Sequence, residues 1–71
     1  MDKHRMAENL KALRKDKGET QKETANAVGV SESAYSQYEL GAKVPRDDKK
    51  VAIAKHFKQS VQAIFFDNNT H

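Results

Sequence analysis

Apolar residues recur at helical spacing near the start of the chain. Met6, Leu10 and Leu13 are separated by four and then three positions, which is the spacing of one face of an amphipathic helix. This pattern predicts a first helix over about residues 5–16, and Gly18 ends it.

Capping residues mark the start of a second and a third helix. Thr20 followed three positions later by Glu23 forms a capping box, which predicts a helix that starts at Gln21 and ends at Gly29. Its inward-facing candidates are Thr24, Ala25 and Val28. Ser31 is the next capping residue, and it opens a helix that closes at Gly41 and carries Tyr35 and Tyr38 on one face.

Two more helical patterns follow the loop AKVPR. We expect Asp47 or Asp48 to cap a fourth helix, in which Lys50, Ile53, Ala54 and Phe57 fall at helical spacing. Ser60 is expected to cap a last helix with the sequence VQAIFF. No alternating run predicts a strand. The sequence therefore predicts one all-α domain over residues 1–66, with residues 67–71 as a disordered tail.

The second and third helices are joined by the short apolar turn AVGV, which contains Gly29. Two helices joined by a short turn with a glycine form a helix-turn-helix, whose second helix enters the DNA major groove. The tyrosines are expected to hold this second helix against the core. Its opposite face is polar, and Gln, Glu and Ser are residue types that read base edges. That face consists of Glu32, Ser33, Ser36 and Gln37.

Composition narrows the classes of function. The 71 residues carry 13 Lys and Arg against 10 Asp and Glu, so the net charge of +3 is informative only if the cations cluster on one face. There is no cysteine, and the three histidines are scattered without acidic partners at ligand spacing, so we expect neither a metal nor another cofactor. No nucleophile with a matched base indicates an enzyme. No long apolar run indicates a signal peptide or a membrane span, so we expect a cytoplasmic protein.

The segments NLKALRKDKGETQKETANAVGVSESAYSQYELG and VPRDDKKVAIAKHFKQSVQAIFF resemble the Xre/Cro/C1 family of bacterial and phage helix-turn-helix regulators. The resemblance implies a five-helix, lambda-repressor-like domain that binds double-stranded DNA as a homodimer on an inverted-repeat operator. It also implies that Gln21 contacts a phosphate and that Arg14 and Glu39 form a buried ion pair. It further implies that the positions of Glu32, Ser33 and Gln37 face bases. Together with the polar face of the third helix and the cations that follow it, the residues expected to bind DNA are Gln21, Ser31, Glu32, Ser33, Ser36, Gln37, Lys43 and Arg46.

Some positions depart from the family pattern. Members usually have an apolar residue at the position of Glu19, Leu at that of Thr24, and an Asn that often touches phosphate at that of Leu40. Asp47 and Lys50 also stand at positions that are commonly apolar. The polar residues at these two positions weaken the expected core and make a shared interface more important for stability.

Simpler interpretations stay open for several of these residues. Gln21 and Glu32 are also compatible with solvated positions in the first turn of a helix, and Arg14 with Glu39 is compatible with an exposed pair of little energetic value. The cations Lys43, Arg46, Lys49 and Lys50 form either a solvated face or, as we expect, a contact with the DNA backbone.

The sequence thus predicts a homodimeric transcriptional repressor without a small-molecule site. Its dimer interface is expected to include Val61, Ile64, Phe65 and Phe66, because these residues crowd a short helix with apolar surface. The alternative is an antitoxin or another interaction module, in which helices mask a partner protein and DNA binding is secondary.

Overall fold

Residues 2–66 are described by the computed structural model, so Met1 and the predicted tail at residues 67–71 lie outside it. The described residues form five helices and no strand. The helices are α1 (Lys3–Asp16), α2 (Gln21–Val28), α3 (Glu32–Glu39), α4 (Asp47–Phe57) and α5 (Val61–Phe65). The predicted all-α, five-helix fold is confirmed.

The starts of the helices follow their capping residues in four of the five cases. The Thr20 hydroxyl accepts from the Glu23 N–H while the Glu23 carboxylate accepts from the Thr20 N–H, which is the predicted capping box. The first helix starts earlier than its apolar spacing predicted. Its cap is Asp2, whose carboxylate accepts from the backbone N–H groups of His4 and Arg5 at 3.0 and 3.2 Å.

The prediction that Asp47 or Asp48 caps α4 is wrong. The capping position is occupied by Arg46, whose side chain makes no capping hydrogen bond, and both aspartates lie in the first turn of the helix. Carboxylates are favourable in that turn because the N-terminal end of a helix carries a partial positive charge. The aspartates therefore stabilise this end through their charge rather than through a cap.

All five helices contribute to one core. Leu10, Tyr35 and Ile53 are fully buried, and Ile64 and Phe65 of α5 close the same cluster. The third helix packs against α1 and α2, while α4 packs against α2 and α5. One side of α3 is therefore fixed by neighbours on two helices.

The turn between α2 and α3 depends on a left-handed backbone at Gly29. Its φ is 82°, and its N–H donates to the Ala25 carbonyl, which ends α2 sharply. Ala25 is fully buried, so a larger side chain at this position would push the core apart. The predicted turn chemistry is confirmed by this geometry.

We expect Lys58→Gly to stabilise the domain by about 0.5 to 1 kcal/mol, because Lys58 ends α4 with a left-handed φ of 56° that strains every residue except glycine. The matched control is Lys55→Gly inside α4, which should destabilise by about 1 kcal/mol. Urea melts of both variants measure the difference. A Lys58→Gly variant less stable than wild type contradicts this account.

Candidate nucleic-acid interface

The third helix presents two chemically different sides. Tyr35 is fully buried and Tyr38 nearly so, with the two rings edge to face at 6.0 Å between centroids. On the other side, Glu32 and Ser33 are exposed and Ser36 and Gln37 are half-buried. The structure thus separates a side that packs from a side that is open to a ligand.

Ser31 holds the start of this helix. Its hydroxyl oxygen accepts from the Ala34 N–H at 3.0 Å, which satisfies one of the N–H groups that a helix start leaves unpaired. The residue is exposed, and its hydroxyl hydrogen is still available to donate. Ser31 can therefore cap the helix and contact a ligand at the same time.

Arg14 and Glu39 form a two-point ion pair between α1 and the end of α3. Arg14 Nε lies 2.7 Å from Glu39 Oε2 and Arg14 Nη2 lies 3.0 Å from Oε1, and the two side chains are only 13% and 2% exposed. Arg14 Nη1 also donates to the backbone carbonyl of Glu19 at 2.9 Å. One guanidinium therefore joins α1, α3 and the segment before α2.

The charge of Glu39 is stabilised where it is buried. Burial raises the pKa of Glu39, but the hydrogen bonds from Arg14 and Gln21 outweigh it, so the pKa of this carboxyl lies below its usual range. The same contact raises the pKa of Arg14. Both groups are therefore ionised at neutral pH.

Gln21 stands beside this pair at the start of α2. Its Nε2 donates to Glu39 Oε1 at 3.1 Å, so the amide is already oriented by a buried carboxylate. A primary amide has two N–H donors, and this bond uses one of them. The structure therefore leaves Gln21 a second donor at the end of a helix that favours anions.

Tyr35 has a hydroxyl group without a hydrogen-bond partner among the described residues. Burial, together with the nearby carboxylate of Glu39, raises the pKa of Tyr35 well above its usual range. The phenol is therefore neutral and takes part in packing.

The four cations expected along the DNA backbone do not behave alike. Lys43 and Arg46 are exposed in the loop before α4. Lys50 instead places its Nζ 5.1 Å from the centroid of the Phe66 ring, and its side chain is only 13% exposed. Lys49 reaches back to the helix-turn-helix, where its Nζ lies 3.2 Å from the site of a Cβ built on Gly29. Of the four, Lys50 is thus engaged within the domain, and Lys49 lies beside the turn between α2 and α3.

The residues predicted for a dimer interface are also divided by the fold. Ile64 and Phe65 are each 2% exposed because they fill the core of their own chain, so they have no surface to offer a partner. Their assignment to the interface is corrected accordingly. Phe66 is 40% exposed and Val61 is half-buried, so these two residues keep accessible apolar surface.

A polar cluster that the sequence did not reveal links α4 to the start of α2. Glu19 Oε1 lies 2.7 Å from His56 Nε2 and accepts from the Thr24 hydroxyl at 2.7 Å. The sequence marks Glu19 and Thr24 only as departures from the pattern of the family that it resembles, and His56 is 37 positions from Glu19 along the chain. The hydrogen bonds from His56 and Thr24 lower the pKa of Glu19.

Residues 2–66 contain neither a cluster of metal-binding side chains nor a membrane-spanning helix. Among residues 2–66, no group of three or more His, Asp or Glu side chains is placed to hold a metal ion. None of the helices in this part of the chain combines the length and the apolar character that crossing a bilayer requires.

Comparison with known proteins agrees with the geometry. The sequence profile described as helix-turn-helix matches residues 10–64. Over 39 residues the chain is 46% identical to the uncharacterized HTH-type transcriptional regulator YqaE of Bacillus subtilis (strain 168), a match that covers 55% of this chain and 34% of YqaE. The crystal structure of the clp gene regulator ClgR from Corynebacterium glutamicum is similar with a TM-score of 0.82 and 25% identity, over 94% of this chain and 71% of that one.

We expect the ionisation of Glu19, which is bonded to Thr24 and His56, to make the stability of the fold depend on pH. Because the pKa of Glu19 is lower in the folded than in the unfolded state, its ionised carboxylate stabilises the fold at pH values above the unfolded pKa of about 4.3. This contribution is lost as the pH falls through the folded pKa. The free energy of unfolding of wild type should therefore exceed that of Glu19→Gln by about 1 kcal/mol at pH 7, and the difference should shrink from about pH 5 to pH 3.

The matched control is Glu8→Gln, because Glu8 pairs with His4 on the surface with its side chain 70% exposed. Thermal melts over this pH range compare the three proteins. The explanation fails if Glu19→Gln and Glu8→Gln differ from wild type by the same amount at every pH.

Proposed function

Because the chain belongs to the Cro/C1-type helix-turn-helix family of DNA-binding transcriptional regulators, we propose that it is a homodimeric repressor that reads an inverted-repeat operator through α3. The family and the similarity to ClgR point to a regulator that is not an enzyme. The observation that carries the proposal is the division of α3 into a buried tyrosine side and an open polar side. Its place of action is the cytoplasm, where bacterial DNA is read.

The open side of α3 carries suitable chemistry for base edges. Gln37 can pair with adenine through two hydrogen bonds, Glu32 can accept from the amino group of cytosine, and Ser33 can bond with either. Ser31 and Ser36 complete this surface at its start and on its flank. The base edges are contacted by the first half of α3, which is the part that enters the major groove in such domains.

Phosphate contacts complete the interface at its edges. Gln21 has an oriented amide with a free donor, and Lys43 and Arg46 are exposed in the loop after α3. These contacts position the domain on the duplex and add affinity without sequence preference. Lys50 is left out of this set because its ammonium lies 3.4 Å from the Asp47 carboxylate and over the Phe66 ring.

The proposed homodimer uses the accessible apolar surface at the end of the described chain. Phe66 and Val61 supply it, and the Lys50 ammonium lies over the Phe66 ring beside them. A two-fold contact between these residues joins two domains, and because α3 packs on the core of its own domain, the contact fixes the two copies of α3 relative to each other. Repression follows physically, because a dimer that covers an operator excludes other proteins from the same DNA.

In-vitro selection of bound duplexes tests the proposal. We expect an inverted repeat whose half-sites are about one helical turn apart. A pool without sequence enrichment excludes a sequence-specific regulator, and single half-sites exclude the dimer.

We expect Gln37→Ala to cost about 1 to 3 kcal/mol on the selected site and to flatten the preference at one base pair per half-site, because it removes one base contact. Tyr35→Ala should instead destabilise the fold by roughly 3 to 5 kcal/mol, because its ring is fully buried. Melts and binding to single-base operator variants are measured for both proteins. Equal loss of affinity for Gln37→Ala on every sequence would contradict the assignment of faces.

We expect Lys43→Ala and Arg46→Ala each to reduce the salt dependence of binding, the slope of log affinity against log salt, by about one unit per subunit. Lys50→Ala is the matched control: it should leave the slope unchanged, because its ammonium lies 3.4 Å from the Asp47 carboxylate and its side chain is only 13% exposed. Titrations between low and high salt give the three slopes. Equal slopes for all three variants would show that the assignment of these cations is incorrect.

A further inference from the structure

A groove of about 450 Å³ runs between α1 and the end of α3. Six of the eight residues that line it belong to α1. The other two are Glu39, the last residue of α3, and Leu40, which directly follows it. The groove therefore adjoins the helix that is proposed to lie in the major groove, at the end that lies away from the bases.

Leu40 leaves this edge of the groove without a side chain that can bind phosphate. It is 75% exposed, and a leucine side chain neither donates nor accepts a hydrogen bond. An Asn that often touches phosphate stands at this position in the family. The φ and ψ of Leu40, −88° and −9°, keep the helical geometry, so Leu40 projects within about 60° of Ser36 and Gln37. The groove beside it is therefore open on the same side of the domain as the polar face of α3.

The lysines of this groove come from α1. Lys11 and Lys15 are both exposed, and they lie one helical turn apart, about 6 Å along the axis, so that they share one face of α1. Within residues 2–66, neither lysine forms an ion pair with a carboxylate. Both ammonium groups are therefore available to an anion from outside the domain.

The two carboxylates of the groove do not cancel these cations. Glu39 is paired with Arg14, and its side chain is only 2% exposed. Glu8 Oε2 lies 3.3 Å from His4 Nε2, which places this carboxylate toward the start of α1, one turn before Lys11. The positive charge of the groove is therefore concentrated at the end that carries the two lysines.

This end of the groove lies beside a phosphate contact that is already part of the proposed interface. Glu39 lines the groove, and its Oε1 accepts from Gln21 Nε2 at 3.1 Å. Arg14, which precedes Lys15 in the sequence, binds the same carboxylate. A DNA strand with a phosphate at Gln21 therefore passes the mouth of the groove, where its neighbouring phosphates meet the lysines of α1.

We propose that Lys11 and Lys15 form a further phosphate-binding site, through which α1 contacts the DNA backbone where Leu40 cannot. This inference rests on the proposed function, since it needs α3 in the major groove. The contact is one of charge, so it adds affinity and salt dependence without sequence preference. An acidic protein segment in the same groove is the competing explanation, and it predicts that the two lysines do not affect DNA binding.

Methylphosphonate linkages, placed one at a time in the selected operator, test the proposal because each removes the charge of one phosphate. For the full wild-type chain we expect a phosphate in each half-site whose neutralisation lowers the affinity. In Lys11→Ala or Lys15→Ala, neutralising that phosphate should have no further effect. Lys11→Arg should keep the sensitivity, because the substitution keeps the charge.

Lys55→Ala is the matched control. Lys55, like Lys15, is an exposed cation in the last turn of its helix, but it lies on α4 and outside the groove. This variant should keep the wild-type sensitivity at every phosphate. Melts check that all variants fold, which we expect because the replaced side chains are exposed and alanine favours helices. If an alanine variant does not fold, Lys11→Gln and Lys15→Gln remove the same charges.

The salt dependence of binding gives a second readout. Lys11→Ala and Lys15→Ala should each reduce the slope of log affinity against log salt by about one unit per subunit, whereas Lys55→Ala should not. The inference is overturned if the two variants keep the slope and the phosphate sensitivities of Lys55→Ala, and the groove is then left to a protein partner. A selected operator bound without these effects overturns this inference alone, whereas the absence of any enriched sequence overturns the proposed function as well.

Discussion

The ion pair of Arg14 with Glu39 is the contact on which the arrangement of the helix-turn-helix depends. A single guanidinium reaches the last residue of α3 and the backbone carbonyl of Glu19, so it fixes the end of one helix and the segment that precedes another. Both charges are mostly buried, and burial of charge is unfavourable unless every donor and acceptor finds a partner. The carboxylate meets this requirement with two bonds from Arg14 and one from Gln21.

This contact connects packing to recognition. Gln21 is oriented by the same carboxylate that holds α3, so the residue proposed to contact phosphate and the helix proposed to read bases share one support. A displacement of Glu39 would move both at once. Positioning by rigid elements with locked side chains is a general requirement of precise recognition. Here it is met within a domain whose α3 has only eight residues.

The polar departures from the family pattern make structural sense together. Glu19 and Thr24 stand at positions that are usually apolar in the family, but in this chain Glu19 accepts from the Thr24 hydroxyl and is hydrogen-bonded to His56. Part of the contact between α4 and the start of α2 is therefore hydrogen-bonded instead of apolar. Its strength depends on hydrogen-bond geometry and on ionisation as well as on the buried area. Lys50 also stands at a position that is commonly apolar, and its ammonium lies over the ring of Phe66, directly after α5.

The sequence by itself determined the helices and the two faces of α3, because caps, turn glycines and apolar spacing act between residues a few positions apart. Thr20 with Glu23, Gly29 and the two tyrosines are such cases. Only the tertiary structure decided which cations stay exposed, which aromatic residues of α5 are buried, and that Glu19 meets His56. These outcomes depend on where helices cross, and residues far apart in the chain carry no local signal of their contact.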